Sequence, residues 1–249
     1  MPRIWRINEI HTDVRLGCSF LFDWCDGCPR GRKKWTDEGE LSFVKTGGNS
    51  DVSTFSLKNL LKYKFSEIFE GGWKVSALNS ESNGVRSSEK YASELRGDYA
   101  FSTHFYAGVA AGWLKDKFSG MDARYYAGTV VGYKFLVGPT HFLKSEAGLD
   151  YVKEEYTDNT KSEFLRGRVF AEYEHRFTEV NKFVQSVEYL YDFDDSDNYN
   201  MNSVTAIVTV LNSNFSLKTS YEVRYDNKPV PAILDDTDTI LGASLISTF

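Results

Sequence analysis

The chain has 249 residues, 41% hydrophobic and 15% aromatic, and a formal net charge of −6. That acidic balance, with Lys and Arg scattered, excludes a nucleic-acid partner, which selects a basic surface. No stretch resembles a membrane-crossing helix, which needs about 20 mostly apolar residues; the longest uncharged run, residues 198–217, is broken by asparagines. If the chain spans a membrane it does so as a closed barrel, because only helices and barrels satisfy every backbone group there.

Residues 1–34 do not match the rest. They hold all three cysteines, Cys18, Cys25 and Cys28, and show no clear period. A signal peptide needs a core of about 7–15 apolar residues, and none is found here. Cys25 and Cys28 have the spacing of half a zinc site or a redox pair, but the second pair is missing. The segment reads as an irregular, disordered leader or a mis-assigned start that displaced a signal peptide. N-terminal sequencing of the mature protein tests this.

From Trp35 one grammar repeats: a run of period two, a connector, another run. Period two marks strands, whose side chains alternate between faces. Twelve strands are expected, near 38–46, 52–66, 71–80, 89–101, 104–116, 123–136, 140–155, 161–176, 181–193, 200–211, 214–226 and 237–249. Their connectors alternate in kind. One set is tight: 67–70, 102–103, 137–139, 177–180 and 212–213. The other is longer and rich in Asp, Asn, Ser and Gly, as in "SESNGVRSS" and "NKPVPAILDD". Such sidedness belongs to outer-membrane barrels. No proline interrupts an expected strand, as befits strands paired on both edges.

The stretch "NFSLKTSYEVRYDNK" (214–228) shows which face looks out. Phe215, Leu217, Tyr221, Val223 and Tyr225 alternate with Lys218, Glu222 and Arg224. Apolar faces elsewhere put small aliphatics centrally and aromatics at the ends, as where Phe105 and Trp113 bracket Ala107, Val109 and Ala111. A soluble core would place its large residues centrally, whereas this layout is that of two interfacial aromatic girdles. The opposite faces carry Lys58, Lys62, Lys64, Glu94, Arg96, Asp98, Lys144, Glu146, Asp150, Arg166, Arg168, Glu172, Glu174, Lys218, Glu222 and Arg224. Both signs on one face suit an enclosed lumen where neighbouring charges pair. The fold class is therefore all-β: a transmembrane antiparallel up-and-down β-barrel of about 12 strands over residues 35–249, preceded by the irregular N-terminal segment.

The closing residues carry more than period. "SLKTSYEVRYDNKPVPAILDDTDTILGASLISTF" contains Tyr225-Asp226, Pro229 and Pro231, Asp238-Thr239 and a terminal Phe249. "GELSFVKTGGNSD" (39–51) and "LRGDYAF" (95–101) precede it in order. In these motifs the chain resembles the YdiY-like family of salt-induced outer-membrane proteins, from about residue 35 to the end. The resemblance implies a bacterial outer-membrane location, a structural or stress-related envelope role and no established biochemical activity. It also implies outer-membrane lipid and lipopolysaccharide as surroundings. The barrel-assembly machinery would read Leu245 and Phe249 in the last strand. A monomer is expected.

Candidate chemistry is sparse. His104, His141 and His175 fall at the tight-turn ends of their strands, and His141 and His175 are placed to face each other across a strand pair. Their parity is that of outward residues, so they read as structural. Asp192, Asp194, Asp195 and Asp197 precede one loop tip, and Asp235, Asp236 and Asp238 flank another. Neither run has the ligand spacing and turn glycine of a calcium loop. A hydrolase would need Ser, His and a carboxylate facing one way, and no serine here has a distinctive neighbourhood. The reading is a non-enzyme with no cofactor and no metal. Lys58, Lys62, Arg166 and Arg168 could guide anionic solutes through a narrow channel, or Glu172 and Glu174 could neutralise them and plug the barrel.

Overall fold

The computed structural model describes residues 34–46, 52–82, 85–117, 121–228 and 236–249. The expectations for Cys18, Cys25, Cys28 and the leader fall outside them, as does Asp235. Twelve strands follow in chain order: β1 (Trp35–Thr46), β2 (Val52–Lys64), β3 (Phe69–Ser82), β4 (Val85–Ala100), β5 (Phe105–Asp116), β6 (Met121–Val137), β7 (His141–Tyr156), β8 (Lys161–Arg176), β9 (Asn181–Asp192), β10 (Tyr199–Val210), β11 (Phe215–Asp226) and β12 (Thr237–Thr248). Each pairs antiparallel with its sequence neighbours, and β1 pairs with β12 to close the sheet. The architecture is an up-and-down barrel of the outer-membrane type, with no helix among the described residues.

All twelve expected strands are present, and the differences lie at their ends. "SESNGVRSS" is not a long loop: β3 runs to Ser82 and β4 begins at Val85. A bulge at Ser80 and Glu81 shifts the register there. The β5–β6 and β7–β8 connectors shrink to residues 117–120 and 157–160. Much of the sidedness lies in strands that outrun the barrel rather than in long loops.

The opposite end is built from one turn used four times. Phe65 and Ser66 donate backbone N–H to the Phe69 carbonyl, Phe101 and Ser102 to Phe105, Phe177 and Thr178 to Asn181, Leu211 and Asn212 to Phe215, all at 2.9–3.3 Å. In each, the second residue's side-chain oxygen accepts two later amides. Ser66 takes those of Ile68 and Phe69, and Ser102 those of His104 and Phe105. Thr178 takes those of Val180 and Asn181, and Asn212 those of Asn214 and Phe215. Ser, Thr and Asn recur there because their short polar side chains satisfy turn amides that no strand can reach.

Parity holds around the barrel. Odd-numbered apolar residues are exposed in successive strands, among them Leu57, Leu95 (61%), Val109, Val131, Leu149, Val169, Ile207, Leu217 and Leu241 (71%). Register preserves it, with Leu41 opposite Leu57, Trp73 opposite Leu95, Phe105 opposite Tyr133 and Leu217 opposite Leu245. A continuous apolar exterior of this extent is foreign to a water-facing surface. Its edges are aromatic: Phe55 and Tyr63, Tyr91 and Tyr99, Phe105 and Trp113, Tyr125 and Tyr133 each lie eight residues apart. Eight residues rise about 27 Å along a strand, or about 20 Å at a tilt near 40°, close to the roughly 25 Å apolar belt of such barrels. Beyond the loop-side edge the outside turns ionic, where Lys153 meets Glu163 at 3.4 Å and Lys161 meets Glu155 at 3.0 Å.

Candidate functional site: the barrel lumen

Even-numbered side chains meet inside, and one wall is packed by a single carboxylate and its donors. Glu146 on β7 is 3% exposed. Arg96, three strands away on β4, donates to both its oxygens (Nη2–Oε1 2.9 Å, Nη1–Oε2 3.1 Å). Arg168 on β8 donates to Oε2 at 2.9 Å, and the Tyr106 hydroxyl on β5 to Oε1 at 2.6 Å. Charge-assisted bonds of this kind offset the cost of enclosing the ions. The chain continues both ways: Arg96 also holds Asp98 (2.9 Å), while Arg168 holds Glu188 (2.7 Å), which accepts from Asn202 (3.3 Å). A polar belt thus runs from β4 to β10.

Arg96 can span β5 and β6 because glycines thin the inner face beneath it. Gly108, Gly112, Gly128, Gly132 and Gly148 all lie on that face. Tyr106 covers its register partner Gly132, where a Cβ would sit 2.2 Å from the ring Cζ. Tyr126 covers Gly112 in the reverse sense, 2.3 Å from Cζ, and donates to Glu94 at 2.5 Å. Only glycine lets a ring lie flat on the sheet there. Apolar side chains complete the filling: Val152 is fully enclosed, and Phe142, Phe164 and Val208 are buried. The interior is more mixed than an ionic ladder.

The structure places the remaining sequence-identified charges as follows. Arg166 pairs with Asp150 (2.8 Å) and lies 5.4 Å over the Tyr126 ring. Glu172 pairs with Lys144 and Glu174 with Lys182, both at 3.2 Å, so neither neutralises the arginines beside it. Lys218 reaches Glu40 at 2.9 Å, and Arg224 reaches Glu222 at 2.7 Å. Lys62 on β2 lies within electrostatic reach of Glu38, Glu70, Lys144 and, across the lumen, Glu172 on β8. Lys58 faces Glu40 and Ser76 in register. Tyr106, Tyr126 and Glu40 join the site through register, which the period of a single strand does not show.

The wall formed by β12, β1, β2 and β3 differs. Its inner positions include Ser42, Ser56, Gly72, Ser76, Gly242 and Ser244. A Cβ added at Gly72 would meet nothing nearer than 3.9 Å, and one at Gly242 only the Ser220 and Ser42 hydroxyls at 3.9 Å. One side of the lumen is filled to contact; the other is closed at Ser244 and Ile246 but has room around Gly72 and Gly242.

At the turn end His141 stacks on His175 at 4.5 Å and its Nδ1 lies 2.8 Å from the Tyr173 hydroxyl. His104 stacks on Tyr133. At the loop end Asp192 accepts from the amides of Asp194 (2.8 Å) and Asp195 (3.3 Å) and from the Asn198 side chain (2.9 Å), so it shapes its loop. Asp195 bonds Lys228 of the next loop, and that ammonium holds its carboxyl below the usual carboxylate range. Among the described residues no three metal-ligating side chains converge. Leu245 sits opposite Leu41 in the closing seam, and Phe249 exchanges both backbone bonds with Asp37 (3.0 and 3.2 Å).

A family model described as "Protein of unknown function, DUF481" matches residues 39–249, the span of the barrel. The chain belongs to this DUF481 family. Within the curated proteins it is 28% identical over 210 residues to the "Uncharacterized protein YdiY" of Escherichia coli strain K12, covering 84% of this chain and 81% of that one. Of solved structures, the COG4313 outer membrane channel from Pseudomonas putida F1 aligns at a TM-score of 0.54 with 9% identity, covering 86% of this chain and 95% of that one. At that identity the likeness concerns the fold. The DUF481 match begins at Gly39 in β1 and ends with Phe249, so it coincides with the closed sheet.

Proposed function

We propose that this DUF481 protein is an integral protein of a Gram-negative outer membrane and gives small solutes a narrow, charge-lined passage. The carrying observation is the one-sided filling of the lumen: glycines under rings on β5 and β6, glycines facing open space on β3 and β12. A barrel meant only as a plug gains by packing both walls. Twelve strands also enclose more than the eight whose side chains just fill a barrel, and fewer than the 16–18 of wide porins. The structural likeness to a protein titled an outer membrane channel agrees with this reading.

In this reading the apolar exterior contacts lipid and lipopolysaccharide, the barrel is a monomer, and assembly machinery recognises Leu245 and Phe249 at the closing strand. No catalytic step is assigned to it. A second reading, a structural barrel serving envelope integrity under stress, is favoured by the Glu146 belt, which ties together side chains of six strands without leaving its charges free. Planar-bilayer recording of the purified protein decides between them. Small, reproducible unitary currents are expected; silence at high voltage after verified insertion ends the passage reading and leaves the structural one.

A further inference from the structure

The open wall carries two lysines, Lys58 and Lys74, that no carboxylate meets at salt-bridge distance among the described residues. Glu40 faces Lys58 across β1 and β2, yet its carboxylate is taken by Lys218 (2.9 Å) and by the Ser244 hydroxyl (2.8 Å). Glu222, the other acid near Lys58, is held by Arg224 at 2.7 Å. Glu38, level with Lys74 through their shared register partner Leu60, stands in the field of Lys62, Lys182 and Lys218. Glu94, directly opposite Lys74 on β4, accepts from the Tyr126 hydroxyl. Lys58 and Lys74 thus make no ion pair among the described residues.

These two lysines are neighbours. Lys74 lies opposite Leu60, two positions from Lys58, and Lys58 stands in the like-charge field of both Lys74 and Lys218. Lys74 is exposed although its parity is inward, so it stands in open lumen. Around them the wall is Ser56, Ser76 and Gly72, small residues that leave room and supply hydroxyl donors. Ammonium groups with no ion pair of their own can take up an external anion. Ammonium groups on flexible stems suit an anion that must also leave, unlike arginines locked in bidentate pairs.

We propose that Lys58 and Lys74, with Lys218 beside them, form a binding site for a small oxyanion on the open wall of the lumen. Its ligand carries a phosphate, sulfate or carboxylate group and is narrow enough for the space over Gly72 and Ser76. The site rests on the passage reading for its access, but binding itself requires no current. Arg166 and Arg168, which the sequence suggested as part of such a path, are excluded from it by Asp150, Glu146 and Glu188.

The test is calorimetric titration of the full chain, folded in non-ionic detergent at low ionic strength, with pyrophosphate as probe. Folding of every variant is verified by heat-modifiable gel migration. The K58Q/K74Q double variant is expected to weaken pyrophosphate binding at least tenfold, while K153Q/K161Q on the outer surface leaves it unchanged. Absence of binding to the unaltered protein, or equal losses in both double variants, overturns the site. A barrel that binds pyrophosphate yet carries no current keeps the site and loses the passage; one that conducts without binding loses the site alone.

Discussion

Glycine is the residue whose meaning changes most around this barrel. Gly132 and Gly242 both lie on inner faces, yet a methyl at Gly132 would fall 2.2 Å from the Tyr106 ring and one at Gly242 would meet nothing within 3.9 Å. Displacing Tyr106 also withdraws its hydroxyl from Glu146, the acceptor shared by Arg96 and Arg168. Gly132→Ala should therefore cost about 1–3 kcal/mol, the range for overfilling a packed site, whereas Gly242→Ala should stay within about 0.5 kcal/mol of the parent. Urea titration of protein folded into lipid vesicles measures both, and equal effects would contradict a lumen filled on one side. Sequence alone supplied the parity of these glycines and of Arg96, Arg168 and Glu146. It did not supply the reciprocal cover of Gly132 by Tyr106 and of Gly112 by Tyr126. That depends on register between β5 and β6, which no single strand encodes.

At the scale of the strand, period two was legible wherever one face meets an apolar surround and the other an ionic interior. It faded where both faces are wet. β4 starts at Val85 in a run, Val-Arg-Ser-Ser-Glu, with the composition of a loop. The strand extends there because β3 continues beside it, so cross-strand bonding outlasts the apolar pattern. The repeated four-residue turn was legible in principle, since Phe65-Ser66 and Phe101-Ser102 open it alike, but its rule is a side-chain bond to backbone and not a hydrophobic period. The outer band makes a direct prediction. Val169 is 55% exposed and lies midway between Leu165 and Tyr173, while Val85 is 70% exposed beyond the loop-side edge. Val169→Arg should destabilise the vesicle-folded protein by about 2–4 kcal/mol and Val85→Arg by about 0–1 kcal/mol, following the depth dependence of charge on a lipid-facing surface. Two small and equal effects in the same titration would mean that the exterior meets water.

The closed sheet stands or falls with its seam. Every junction but one joins strands adjacent in sequence through a connector of at most ten residues, so pairing there is local and its loop-closure cost smaller than at the seam. β1 and β12 meet only after the whole chain has been laid down. Their register is also the shortest, from Glu38 opposite Thr248 to Ser42 opposite Ser244, against Met121 to Val137 along β6 with β7. What reinforces the seam lies at its turn end and inside: Phe249 exchanges two backbone bonds with Asp37, and Ser244 with Lys218 grips Glu40 across the junction. Local opening should begin where bonds are fewest, because separating β1 from β12 sacrifices one short ladder while any other break sacrifices a longer one. Amide hydrogen exchange in micelles should therefore release Leu41, Ser42 and Ala243 well before Gly128, Thr129 and Leu149 of the β6–β7 pair. Lys218→Gln, by loosening Glu40, should speed the seam amides and leave β6–β7 untouched. Uniform protection around the barrel would show that closure is as strong at this junction as elsewhere, and that the terminal Phe249 adds more to it than two backbone bonds can.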